Sequence, residues 1–142
     1  MLPRAFVDRS VTPADLLRPK LLTDVADAVS VAAARPVDVF TIVAEVFANA
    51  CKHAALDHLG VRARTRGPIL LIAFDHDPAL QETALAALSR AGAGWLPDLD
   101  ALTVGGLGLP LLHRLSRRVT VSNDNRRLNL WLDSNLRKEH AA

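Results

Sequence analysis

The sequence predicts an α/β fold, a two-layer sandwich in which a mixed, mostly antiparallel sheet carries its helices on one face. Three observations lead there. Strand-like and helix-like segments alternate along 142 residues, with neither an internal repeat nor a linker to divide them. The segment ILLIAF, residues 69–74, is apolar throughout, as expected of a strand covered on both faces, or covered on one and lining a pocket on the other. Near the end of the chain VTVSN (119–123) and RLNLWL (127–132) flank Asp124-Asn125, a hairpin signal that argues against an all-parallel, doubly wound sheet.

The elements follow in order. Residues 4–11, RAFVDRSV, partly alternate and fit a first strand. Thr12-Pro13 reads as a helix start, and Pro19 begins or kinks the helix a turn or two later. From Pro19 to about Ala34, Leu22, Val25, Ala26 and Val29 share one helical face. Pro36 suits the first position of the next helix, which the pattern carries to about His58, with Gly60 as its stop. VRARTRGP (61–68) reads as a basic connection into ILLIAF. A helix is expected over 80–91, then a long Gly- and Pro-containing region over 92–108, then a helix from about Leu109 to Arg117. The expected organisation is one domain over 1–142, with a core of about 4–133 and a polar tail over 134–142.

Composition narrows the function classes. Half the residues are apolar and 23% are charged, which is globular rather than disordered. The formal charge is only +2, and the arginines are scattered without interleaved aromatics, so a direct nucleic-acid role is not expected. Cys51, the sole cysteine, excludes an intramolecular disulfide and reads as a small buried apolar residue. MLPRAFVDRS lacks a signal-peptide core and no apolar run has the length of a membrane span, so a cytoplasmic protein is expected.

Three features carry chemistry. In TIVAEVFANACKHA, Glu45, Asn49 and His53 are four apart and lie along one side of a helix, at the edge of an apolar stripe. A carboxylate and an amide beside a core are costly to desolvate unless they meet a partner, such as a ligand. The same spacing also fits ordinary solvated residues. Asp75 leaves the end of ILLIAF, where a carboxylate could sit on a pocket floor and accept a hydrogen bond from an exocyclic amine; taken alone, a plain strand-ending turn with a helix cap is the better fit. Gly105, Gly106 and Gly108 precede PLLHRLSRR, and bare backbone at a helix start suits phosphate oxygens. That turn lacks the Lys-Ser/Thr of a P-loop, and no strand directly precedes it, as one would in a dinucleotide fingerprint.

Taken together, EVFANACKHA, FDHDPAL and GGLGLPLLHRLSRRV resemble in order and spacing the boxes of the GHKL superfamily, which includes the ATP-binding domains of histidine kinases and gyrase. The nearest resemblance is to the anti-sigma-factor serine/threonine kinases, over roughly residues 4–133. The resemblance implies a GHKL-type ATP-binding fold. It implies that Asn49 holds Mg²⁺ against the phosphates of ATP, that Glu45 is the general base for a serine or threonine hydroxyl, and that His53 lies near the phosphates or supports the helix. It gives Asp75 the adenine amine, Gly105, Gly106, Gly108 and Leu109 the phosphate loop, and residues 92–104 the lid. Asp77 and Ala79 depart from it, standing where the first glycine box usually has glycines.

The implied function is an ATP-dependent protein kinase of a partner-switching pathway, with a sigma factor and an anti-anti-sigma (STAS) protein as partners and room for a homodimer. Two alternatives stand beside it. One is a non-catalytic partner-binding module with an eroded nucleotide pocket. The other is a detached histidine-kinase catalytic domain, against which the absence of a dimerisation helix with a phospho-acceptor histidine argues.

Overall fold

A computed structural model describes residues 5–52, 57–80, 85–86 and 108–136. Strand β1 (Val7–Val11) runs into the short helix α1 (Pro13–Leu16), and α2 (Pro19–Ser30) and α3 (Pro36–Lys52) follow. The long strands β2 (His58–Arg66) and β3 (Ile69–Asp77) come next, then α4 (Gly108–Leu115), β4 (Arg118–Val121) and β5 (Arg127–Asp133).

Local chemistry sets most boundaries. Thr12 caps α1 in a capping box: its hydroxyl accepts from the Asp15 amide, and the Asp15 carboxylate accepts from the Thr12 amide. Pro19 opens α2 and Pro36 opens α3, at positions where the missing N–H costs nothing. Gly67, with φ of +56°, turns β2 into β3 in a conformation few other residues adopt. Asn125, with φ of +60°, closes the β4–β5 hairpin.

The five strands form one sheet in the order β1-β2-β3-β5-β4, and every neighbouring pair is antiparallel. The expected α/β fold, a mostly antiparallel sheet with its helices on one face, is what the structure shows, and among the described residues every strand pair is antiparallel. Strand alternation divides the side chains cleanly. Leu59, Val61, Ala63, Leu70, Ile72, Phe74, Leu128, Leu130 and Leu132 face the helices and are buried. They meet Val25, Ala26 and Val29 of α2, the stripe of α3 and Leu112 of α4 in one core. The polar tail begins well anchored: Ser134 is buried and donates to the Gly67 carbonyl, and the Asn135 amide donates to the Ala32 carbonyl.

Three further expectations change. The helix read to His58 ends at Lys52 among the described residues, because residues 58–66 are strand β2 rather than helix end and connection. Gly60, read as a helix stop, lies inside β2 opposite Asp75, where an added Cβ would come within 3.3 Å of the Asp75 Cβ. Cys51, read as buried, is exposed. The helix expected over 80–91 and the region 92–107 lie largely outside the described residues, with only residues 85–86 recorded as helical. No described helix is long and apolar enough to cross a membrane.

Candidate functional site

Helix α3 lies between its neighbours with two different flanks. Val39, Ile42, Val43, Val46, Phe47 and Ala50 form its buried stripe. At about 100° per residue, Asp38, Glu45 and Asn49 fall together on one side of that stripe and Cys51 on the other. The Cys51 side is turned toward α1, with Sγ 4.0 Å from the Leu16 carbonyl oxygen. The polar side is turned toward α4, since Asp38 lines a hollow of about 260 Å³ together with Arg114, Leu115, Ser116 and Arg117.

The C-terminal end of α4 lies beside the first turns of α3, and the two helices are in contact. The helix spans eight residues, about 12 Å, and its start at Gly108 carries the unpaired backbone N–H groups and the positive end of the dipole.

Glu45 and Asn49 are half-buried, and neither side chain has a hydrogen-bond or ion partner among the described residues. A partly desolvated carboxylate and amide, one turn apart and without a partner among the described residues, form an arrangement suited to a polar ligand. Among the described residues no cluster of three or more acidic, histidine or cysteine side chains could hold a metal alone. A hard cation at this flank would therefore take the Asn49 amide oxygen and complete its shell with ligand oxygens and water, as Mg²⁺ does with phosphates. Gly108 and Leu109 open α4. His53, Gly105 and Gly106 lie outside the described residues.

Asp75 does not join this group. Along β3, Leu70, Ile72, Phe74 and His76 face the helices, so Asp75 and Asp77 face the opposite way. Asp75 stands directly across from Arg127 on β5, and Arg127 Nε donates to its Oδ1 at 2.7 Å. That contact holds the Arg127 guanidinium above its ordinary pKa, the hydrogen bond first and the charge second. Asp77 pairs with Arg126 at 3.3 Å and with His58 at 3.5 Å. These groups, together with His76, line a separate hollow of about 480 Å³ at the end of the sheet. Neither hollow reaches Glu45 or Asn49. Strand parity sends Asp75 to the face away from the helices, and neither of these hollows joins it to Asn49.

His76 takes the helix-facing position at the end of β3. It is 5% exposed, and burial lowers its pKa, against the opposing effect of hydrogen bonds with backbone and the nearby Asp75 charge. The neutral ring donates from Nδ1 to the Arg126 carbonyl oxygen at 3.3 Å, which leaves Nε2 as an acceptor. Sequence reasoning passed over His76 because both parities of ILLIAF are apolar, so the run does not show which of Asp75 and His76 faces the helices.

A family model described as the histidine kinase-like ATPase domain matches residues 17–133. The chain belongs to that family. The match runs from the end of α1 to the last residue of β5, so α3, α4 and four of the five strands of the histidine kinase-like ATPase domain lie inside it. Curated proteins yielded no match to the chain.

Proposed function

We propose that this histidine kinase-like ATPase domain binds ATP–Mg²⁺ between α3 and α4 and phosphorylates a serine or threonine of a partner protein. In this reading it acts in the cytoplasm as an anti-sigma-type kinase that switches between a sigma factor and an anti-anti-sigma (STAS) protein. The observation that carries it is the pair Glu45 and Asn49, without a partner among the described residues, on the flank of α3 turned toward α4.

Each residue has a task in this scheme. The Asn49 side-chain oxygen would ligate the metal, and the backbone N–H groups opening α4 would donate to phosphate oxygens. Glu45 takes the proton of the attacking hydroxyl. ATP supplies the transferable phosphoryl group, and Mg²⁺ neutralises charge on it. The hollow shared by Asp75 and His76 offers two acceptors for the exocyclic amine of adenine, the Asp75 carboxylate and His76 Nε2, and this reading takes Nε2.

A second reading has its own support. The Asp75–Arg127 pair and the carboxylate of Asp77 stand where the resemblance puts an adenine-binding carboxylate and a glycine. They favour a partner-binding module that has lost its nucleotide. Incubation with γ-labelled ATP and a cognate STAS protein tests the kinase. Acid-stable label on the STAS protein, absent with Glu45→Gln, supports it. Absence of transfer removes the kinase claim, and acid-labile label would instead indicate histidine chemistry.

A further inference from the structure

The basic stretch VRARTR becomes a surface once its strand is known. Arg62, Arg64 and Arg66 alternate along β2, so all three project from the sheet face opposite the helices. Arg64 stands across from Leu71 on β3, Leu71 across from Trp131 on β5, and Trp131 across from Arg118 on β4. One row therefore crosses four strands, about 14 Å at the usual strand spacing, with an arginine at each end and two large apolar side chains between them. Leu71 and Trp131 are half-exposed, as is Ile69 in the next row, opposite Arg66. The Arg118 guanidinium lies over the Trp131 ring, 5.1 Å from its centroid.

The charges on this face do not balance. Asp8 pairs with Arg62 at 3.6 Å, Asp75 with Arg127, and Asp133 with Arg117. Arg64, Arg66 and Arg118 have no carboxylate partner among the described residues. Three unneutralised guanidiniums thus rim an aliphatic and aromatic strip on a face that no described helix covers.

We propose that this face docks a partner protein segment in which carboxylates flank an aliphatic side chain, the carboxylates meeting Arg64, Arg66 and Arg118 and the aliphatic group packing on Leu71 and Trp131. Arginine and tryptophan are the residue types that concentrate energy at such contacts. A second copy placed by a two-fold axis would set the same arginines against one another, which like charge disfavours. Single-stranded nucleic acid would use free aromatic faces, yet the face of Trp131 is taken by Arg118 and its neighbours are aliphatic. The surface lies opposite the α3–α4 flank, so the inference is independent of the nucleotide reading.

Trp131 reports on the face directly. In full-length protein carrying Trp95→Phe it is the only tryptophan. The probes are a soluble peptide of glutamates with leucine at every fourth position, the same peptide with lysine for glutamate, and oligothymidylate. The acidic peptide is expected to shift Trp131 emission saturably, and the other two to leave it unchanged. The double variant Arg64→Gln/Arg66→Gln should weaken the acidic peptide about tenfold, with far-ultraviolet dichroism and ATP titration unaltered. Arg118→Gln, which leaves β2 intact, should weaken it in the same direction. Three results overturn the proposal: no response to the acidic peptide, an unchanged affinity in both variants, or tighter binding of oligothymidylate. A concentration-dependent dimer that shifts Trp131 emission without any probe would assign the face to a second copy and overturn it too.

Discussion

Asp75 and Arg127 face each other across β3 and β5 on the side of the sheet away from the helices, joined by a 2.7 Å hydrogen bond from Nε to Oδ1. The residue beside Asp75, His76, turns its ring to the helix side and is almost fully buried. Two adjacent positions at the end of one strand therefore serve opposite faces.

The pair and its neighbour should separate in nucleotide titrations. Asp75→Asn removes a partly exposed ion pair and should lower stability by no more than about 1 kcal/mol in urea unfolding. It should leave ATP affinity within about twofold of the parent. His76→Leu removes the acceptor Nε2 and should weaken ATP by about tenfold, measured where the variant is folded. The reverse order of effects would restore the base-binding role to Asp75.

Why Asp75 misleads in the sequence is a matter of parity. In ILLIAF the odd and even positions are equally apolar, because Leu71 and Ala73 pack between β2 and β5 on the outer face while Leu70, Ile72 and Phe74 enter the core. Hydrophobicity alone does not say which set faces the helices, and only pairing with Arg127, some fifty residues on, decides it. Strand β2 was not legible: VRARTR alternates, but three arginines and Gly60 give it the composition of a connection, and as a sequence it reads as one. Prolines 13, 19 and 36, the α3 stripe and the C-terminal hairpin were legible because each is a local signal. The four-residue spacing of Glu45 and Asn49 puts them on one side of a helix, and both lie within α3. The approach of α4, which gives that flank its meaning, is a tertiary fact.

Acid should weaken the fold through His76. Its folded pKa lies below the unfolded value of 6.5, so the unfolded chain binds the proton more readily. This contribution is complete above about pH 6.5 and is lost as pH falls through the lower folded value. The urea midpoint of the parent should drop between about pH 7.5 and 5.5, and His76→Leu should flatten that slope. An equal slope in both proteins would exclude His76 as its source.

Arg118 covers Trp131 at the edge of the sheet. Arg118→Ala should lower stability by about 0.5 kcal/mol and, with Trp95→Phe, move Trp131 emission to the red as the ring meets water. Unchanged emission would mean that the guanidinium does not sit over the ring in solution.

Glu45 should divide binding from chemistry. Glu45→Gln keeps the shape of the α3 flank but cannot accept the hydroxyl proton. ATP affinity should stay within about twofold, while phosphate transfer falls by a factor on the order of 10² to 10⁴. Loss of both together would give Glu45 a binding role instead.

The most direct test is a calorimetric titration of ATP–Mg²⁺ into the parent protein and into Asn49→Ala. Saturable heat in the parent, weakened by about tenfold or more in the variant, is the predicted result. No heat in the parent, or equal heat in both, would contradict a nucleotide held on the α3 flank by Asn49.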